Sequence, residues 1–197
     1  MKNIFETLIT SYIADKVGIS DDFLSHTLAK NLRDNMYHLI AKDALTEAGT
    51  GNEKQVRQDK TIRSDKIYWL DRSHNDVHEN EFFDTMDKFV SYLNETCYTG
   101  ITDYEFHYAL YEKGSFYTRH LDRFQNDGSR QFSMITYLNA NWIAGDGGEL
   151  SIHHENGSTQ NIDPTNGKSV FFKSTEMEHE VLVTNKSRLS ITGWLKK

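Results

Sequence analysis

The sequence predicts an α+β fold in which N-terminal helices buttress a β-core of sandwich or barrel type. Three observations lead there. Apolar residues recur at helical spacing through the first half of the chain, short β-rich runs fill the second half, and turn clusters separate those runs. At 197 residues the chain has the length of one domain able to bury a sizeable core. No linker divides it. Residues 1–97 are expected to supply helical support, a lid loop and the first strands, and 98–197 the β-core.

The elements follow in order. Ile4, Phe5, Leu8, Ile9, Tyr12 and Ile13 mark a first helix over residues 4–17, which Gly18 ends. Ser20 is the expected N-cap of a second, longer helix, with Asp21 and Asp22 at its positive end. Phe23, Leu24, Leu28, Leu32, Leu39 and Ile40 form its apolar stripe. Residues 46–61 turn polar and read as a long loop, a type often used as a lid. Ile62–Leu70 reads as a strand, and Phe82, Phe83, Met86, Phe89, Val90 and Leu93 as a third helix. Strands are then expected at Tyr104–Tyr111, Phe116–Asp122, Gln131–Asn139, Gly148–His153, Lys168–Phe172, His179–Thr184 and Arg188–Leu195. Between them stand Asn126-Asp127-Gly128, Gly145-Asp146-Gly147-Gly148, Asn156-Gly157 and Pro164–Gly167, which are turn chemistry.

Composition narrows the function classes. A net charge of -7 is a poor footprint for a partner with a phosphate backbone, so no nucleic acid is expected. No run of about 18 apolar residues exists to span a membrane. Glu6 and Asp15 interrupt any signal-peptide core. The single cysteine, Cys97, reads as a small apolar residue near a helix end and fits a reducing compartment. A cytoplasmic location is the resulting expectation. Oligomeric state stays open.

His120 and Asp122 stand two apart in a predicted strand, so both side chains leave one face. His179, at the start of a later strand, supplies a second imidazole. Two histidines and one carboxylate form the facial triad of non-haem Fe(II) oxygenases. Three protein ligands leave three positions on an octahedral ion, two for a chelating 2-oxo acid and one for O2. With nine histidines in the chain, this set alone is a weak signal. Arg188 strengthens it. Period two places Arg188, Ser190, Thr192 and Trp194 on one face of the last strand, and Leu189, Ile191 and Leu195 on the other. The second set suits packing. The first suits a pocket, with an arginine fork able to grip a carboxylate such as the distal one of 2-oxoglutarate. Tyr137, on a third strand, faces as Ser133 and Ile135 do and could donate its phenol to the same carboxylate.

These stretches resemble the prolyl 4-hydroxylase-like 2-oxoglutarate dioxygenases. The matching segments are Tyr111–Asp122, Tyr137-Leu138-Asn139 with Trp142, Gly147–Leu150, and His179-Glu180-Val181 followed by Arg188–Trp194. The nearer branch is that of the hypoxia-factor prolyl hydroxylases and their bacterial relatives. The resemblance implies a double-stranded β-helix (jelly-roll, cupin-like) core. It implies Fe(II), 2-oxoglutarate and O2, with ascorbate as reductant. It carries iron ligation to His120, Asp122 and His179, and 2-oxoglutarate binding to Arg188 with Tyr137, Thr192 and Tyr111. It implies hydroxylation of a prolyl residue in a protein or peptide, with a free amino acid or small metabolite, or a non-catalytic binding module, as alternatives. Two departures stand out: Arg123 follows Asp122 where the branch often has asparagine, and the Tyr111–His120 stretch is one residue shorter than in the animal enzymes.

Other features read as structural. His74 and His78 have the i, i+4 spacing of helical zinc sites but lack the glutamate after the first histidine, so they read as a solvated helix approach. His153 and His154 face opposite ways on a strand. Trp142 and Trp194 read as core or pocket-wall aromatics, and Gly147-Gly148 as a turn.

Overall fold

The computed structural model describes residues 2–49, 59–122 and 128–197. Its first half contains α1 (Lys2–Asp15), β1 (Val17–Ser20), α2 (His26–Ala41), β2 (Thr46–Glu47), β3 (Lys66–Trp69), a 3-10 turn at Arg72–His74 and α3 (Val77–Cys97). The second half contains β4 (Asp103–Tyr111), β5 (Tyr117–His120), β6 (Arg130–Tyr137), β7 (Leu150–His153), β8 (Thr159–Ile162), β9 (Ser169–Lys173), β10 (Glu178–Val181) and β11 (Arg188–Lys196).

The strands form two antiparallel sheets. The larger runs β1-β9-β6-β11-β4-β3-β2 and the smaller β5-β10-β7-β8. Neighbours in a sheet are mostly distant in sequence, which is the winding of a double-stranded β-helix. Strict alternation along the large sheet separates two cores. Phe106, Tyr108, Leu110, Met134, Phe171, Leu189, Ile191 and Leu195 point outward against the helices. Ala109, Tyr111, Ile135, Tyr137, Val170 and Phe172 point inward to meet Leu150, Ile152, Ile162 and Val181 of the small sheet. Both faces are covered, so these strands read as continuous apolar runs.

The helices are fixed by caps and by one buried stripe each. Ser25 Oγ accepts the Leu28 N–H at 3.1 Å, and the Asp76 carboxylate accepts those of His78 and Glu79, both at 2.9 Å. α2 buries Leu28, Ala29, Leu32 and Met36, and α3 buries Phe82, Phe83, Met86, Phe89 and Leu93.

Several expectations are corrected. Gly18 does not end α1. Lys16 adopts the left-handed conformation there (φ 63°), and Gly18 pairs with Phe171 inside β1. A Cβ at Gly18 would lie 2.6 Å from the Leu8 carbonyl oxygen, so the glycine permits close helix–strand approach. Ser20 caps nothing; it pairs with Ser169 at the end of β1, and Phe23 and Leu24 are buried in the turn before α2. The strand expected at Ile62–Leu70 shrinks to Lys66–Trp69, because Ile62 and Arg63 bond instead to Thr118 and Tyr117 beside β5. Asp122 lies beyond the end of β5, not within it. β8 was not expected, its Thr-Gln-Asn-Ile sequence being polar for a strand. Thr46–Glu47 of the expected 46–61 loop is a strand; residues 50–58 of that loop, Arg123, and Asn126-Asp127 lie outside the described residues. Cys97 ends α3 exposed to solvent and so does not pack as a small apolar residue. No helix among the described residues is long and apolar enough to cross a membrane.

Phe89 links α3 to α1, to the turn before α2 and to the large sheet, with its ring 5.1 Å from Phe5, 5.5 Å from Phe23 and 5.6 Å from Phe171. Phe89→Ala is therefore expected to cost about 3–5 kcal/mol. Urea unfolding should show this as a lower midpoint at unchanged m-value; a loss below about 1 kcal/mol would show that this junction does not bind the helices to the sheet.

Candidate metal centre and anion clamp

β5 and β10 pair so that His120 stands opposite His179. Asp122, two residues past the strand end, turns its carboxylate between them. Its Oδ1 is 3.4 Å from His120 Nε2 and its Oδ2 is 3.6 Å from His179 Nε2. Ligand atoms of all three residues lie within 4.8 Å of one another, the spacing of donors around one ion.

The far nitrogens explain the orientation. His120 Nδ1 bonds the Thr118 carbonyl at 2.7 Å, and His179 Nδ1 bonds the Met177 carbonyl at 3.0 Å. A carbonyl only accepts, so each Nδ1 carries the proton and each Nε2 presents its lone pair inward. That is the tautomer a metal requires. Ser133 Oγ donates to Asp122 Oδ2 at 2.8 Å and meets Ser174 Oγ at 2.9 Å, orienting the carboxylate. Burial opposes the charge on Asp122, but His179, His120 and the Ser133 hydroxyl outweigh it and hold the carboxyl well below the usual range. Burial pushes His179 down to about 4 against the pull of Asp122, so the ring stays neutral.

The second cluster lies on the inner face of the large sheet, which faces the small sheet that carries His120 and His179. Arg188 is 1% exposed. Its Nε donates to the Gly148 carbonyl at 2.8 Å, and its Nη1 reaches Ser190 Oγ at 3.5 Å. Gly148 must be glycine: its φ is +68°, and a Cβ would stand 3.0 Å from Arg188 Cδ. Asn139 fixes the start of β11, accepting the Leu189 N–H at 2.7 Å and donating to the Leu189 carbonyl at 3.0 Å. The guanidinium lies 4.9 Å from the Tyr111 ring and 5.0 Å from the Tyr137 ring. Among the described residues no carboxylate pairs with it, and its Nη2 and the Tyr137 hydroxyl are buried without partners. A buried cation left so costs several kcal/mol. Two orphaned donors beside one fork are what a small carboxylate would satisfy. Burial pushes Tyr137 up to about 12, against Arg188, and raises Tyr111, so both phenols remain protonated. Thr192 Oγ1 lies 3.3 Å from Ser190 Oγ.

The residues expected to act together are thus brought together: His120, Asp122 and His179 in one cluster, and Arg188, Tyr137 and Tyr111 in the other, with Thr192 further along β11. Sequence reasoning missed Ser133 and Ser174 around Asp122, and the Gly148 carbonyl at Arg188. A serine on a pocket-facing strand position was the available signal for Ser133; nothing local marks Ser174. The remaining candidates stay apart from the site. His74 bonds buried Glu79 at 2.9 Å, and His153 bonds Glu180 at 2.9 Å.

Farther along the inner face His107 packs between Trp69 and Trp194, at 5.0 and 5.5 Å. Burial, with help from Arg63 and Arg130 and against Asp65 and Asp122, pushes its imidazole down to about 3. Its unfolded value is about 6.5. A depressed folded value means stability present above pH ~6.5 and lost as pH falls toward 3. Acid unfolding of the metal-free protein should therefore be shallower in His107→Phe over that window; identical curves would remove His107 from the acid response. Ser133→Ala should weaken divalent-metal binding about 10- to 100-fold while leaving the metal-free melting temperature near wild type; unchanged affinity would deny Ser133 a part in orienting Asp122.

Comparison with known proteins agrees with this geometry. The model of the 2OG-Fe(II) oxygenase superfamily matches residues 106–196. The chain is 33% identical over 165 residues to a hypoxia-inducible factor prolyl hydroxylase of Caenorhabditis elegans; the match takes in 79% of this chain and only 22% of that protein. The crystal structure of a Pseudomonas putida prolyl-4-hydroxylase superposes with a TM-score of 0.90 at 32% identity, over 98% of this chain and 100% of that one. A Trichoplax adhaerens prolyl hydroxylase, solved with a hypoxia-inducible factor oxygen degradation domain peptide fragment, shares the fold with a TM-score of 0.86 at 23% identity, over 99% of this chain and 90% of that one. With its length matched end to end by such a relative and its second half by the family model, the chain belongs to the 2OG-Fe(II) oxygenase superfamily, among its prolyl 4-hydroxylase-like members.

Proposed function

We propose that this chain is an Fe(II)- and 2-oxoglutarate-dependent dioxygenase that hydroxylates a prolyl residue in a protein or peptide. The observation that carries the reading is the buried Arg188 guanidinium, unpaired among the described residues, on the inner face of the large sheet, opposite the small sheet whose β5 and β10 carry the histidines of a three-donor metal cluster. A metal-binding module without catalysis has no use for that second site. The substrate class is drawn from the relatives, which are prolyl hydroxylases.

His120 Nε2, His179 Nε2 and the Asp122 carboxylate would hold the iron. Bound iron supplies the redox chemistry, in which O2 and 2-oxoglutarate become succinate, CO2 and one hydroxyl oxygen on the substrate. The chain's own residues bind and orient. Arg188 would hold the distal carboxylate of 2-oxoglutarate through Nη2, with the Tyr137 hydroxyl as a second donor. Tyr111 closes the clamp over the guanidinium, and Thr192 lines its approach. The protonated phenols donate hydrogen bonds without adding charge, so the single cation matches a single carboxylate. The apolar core between the sheets keeps water from the chelated end. Ascorbate would serve as reductant for iron oxidised in turnovers that lack substrate.

Purified protein should form succinate only when Fe(II) and 2-oxoglutarate are both present. Arg188→Met should raise the 2-oxoglutarate KM about 10- to 100-fold, the loss of a charged hydrogen bond, and Asp122→Ala should abolish turnover. Full turnover by Asp122→Ala would sink the triad. Mass spectrometry of a cell lysate incubated with the enzyme should find one oxygen added at a proline within a peptide. Oxygen found only on free amino acids or small metabolites would move the substrate class.

A further inference from the structure

We propose that Arg63 is a positioning residue for the iron-binding histidine His120 and acts through the ring of Tyr117. The proposal rests on the reading of His120 as an iron ligand.

The two histidines of the site are held differently. His179 is 3% exposed and packs against Phe172 at 4.7 Å, deep between the sheets. His120 is more open, at the last position of β5, where the chain leaves the sheet for Asp122. Its Nδ1 bond to the Thr118 carbonyl pins one atom, about which a ring can still pivot. A face-on stack removes that pivot, and Tyr117 supplies one: the ring centroids are 3.6 Å apart and the planes 14° from parallel. Tyr117 is half-buried, so something must hold it in turn.

Arg63 does so. Its Cζ lies 4.4 Å from the centroid of the Tyr117 ring, within cation–π reach. Arg63 cannot swing away. Its Nε and Nη2 grip the two oxygens of Asp65 at 2.8 and 2.7 Å, and Asp65 is 1% exposed. Its Nη1 reaches the Gly49 carbonyl at 3.3 Å. The backbone repeats the connection. Arg63 bridges Tyr117 directly, Ser64 N–H donates to the Phe116 carbonyl at 3.2 Å, and Thr118 N–H donates to the Ile62 carbonyl at 2.9 Å. A buried fork, an aromatic ring and a ligand ring are therefore in contact one after the other. The stack joins the segment just before β3 to the metal centre.

An ion pair that served folding alone would need no aromatic ring between it and a ligand. The test separates the two roles by measuring iron. Arg63→Met alone would leave Asp65 buried and unpaired, so the double variant Arg63→Met/Asp65→Asn is used, together with Tyr117→Leu and the conservative Tyr117→Phe. Each is titrated anaerobically with Fe(II) in the presence of 2-oxoglutarate, following the visible charge-transfer band, and metal-free melting temperature is recorded alongside. The double variant and Tyr117→Leu should bind iron about tenfold or more weakly and shift the band, while Tyr117→Phe, which keeps the ring, restores wild-type affinity and band. Wild-type affinity in both the double variant and Tyr117→Leu overturns the proposal. So does a Tyr117→Phe defect as large as that of Tyr117→Leu, because the hydroxyl and not the stack would then matter. Weaker iron binding only in proportion to a fall in melting temperature assigns the residues to folding and also overturns it. If wild-type protein binds no iron, it is the iron reading beneath the proposal that fails.

Discussion

The site depends on one register: His179 opposite His120 across β5 and β10. A strand slipped by one residue turns every side chain to the other face. A one-residue slip in β10 would carry His179 to the outer face of the small sheet, where Glu178 and Glu180 pair with Arg119 and His153. The small sheet is held in register by Leu150, Ile152, Ile162 and Val181, which must face the large sheet to be buried. Core packing therefore positions the two histidines, and Asp122 reaches them from beyond the strand end.

That packing leaves a deliberate deficit. The inner face of the large sheet carries Arg188, the Tyr137 hydroxyl, His107 and Trp194, each with a buried polar atom lacking a partner among the described residues. Natural cores satisfy most such atoms. Two of the orphans, Arg188 Nη2 and the Tyr137 hydroxyl, belong to residues that pack ring against guanidinium, while the opposite face of the same strands is apolar and complete. A fold that fills one face and leaves donors open on the other is arranged to take a ligand on the second. The electrostatics agree: the Asp122 carboxyl is held ionised, the His179 ring neutral, and the phenols protonated.

Much of this was legible in the chain itself. The apolar stripes of α1, α2 and α3, and seven of the eight β-runs from β4 to β11, follow from local periodicity. So does the face of β11 that carries Arg188, Ser190, Thr192 and Trp194. What local pattern misjudged was punctuation. Gly18 looked like a helix stop and Ser20 like a cap, because glycine after an apolar stripe and serine before acidic residues usually are. Pairing with Phe171 and Ser169 overrode both preferences. β8 escaped because it lies at the edge of the small sheet, pairing on one side only with β7, where polar residues are tolerated.

The sequence by itself determined the donor set, two imidazoles, a carboxylate and a guanidinium, together with the helical and strand periods that say which side chains travel together. Those are short-range properties, carried within a few residues. Only the tertiary structure decided that Asp122 leaves the strand to reach between the histidines, that both Nδ1 atoms are tied to backbone carbonyls, and that Arg188 is buried beside two tyrosines with no carboxylate of its own among the described residues. Each depends on contacts between segments far apart in the chain. No local pattern encodes them, because they are set by which strands pair and what the two cores exclude.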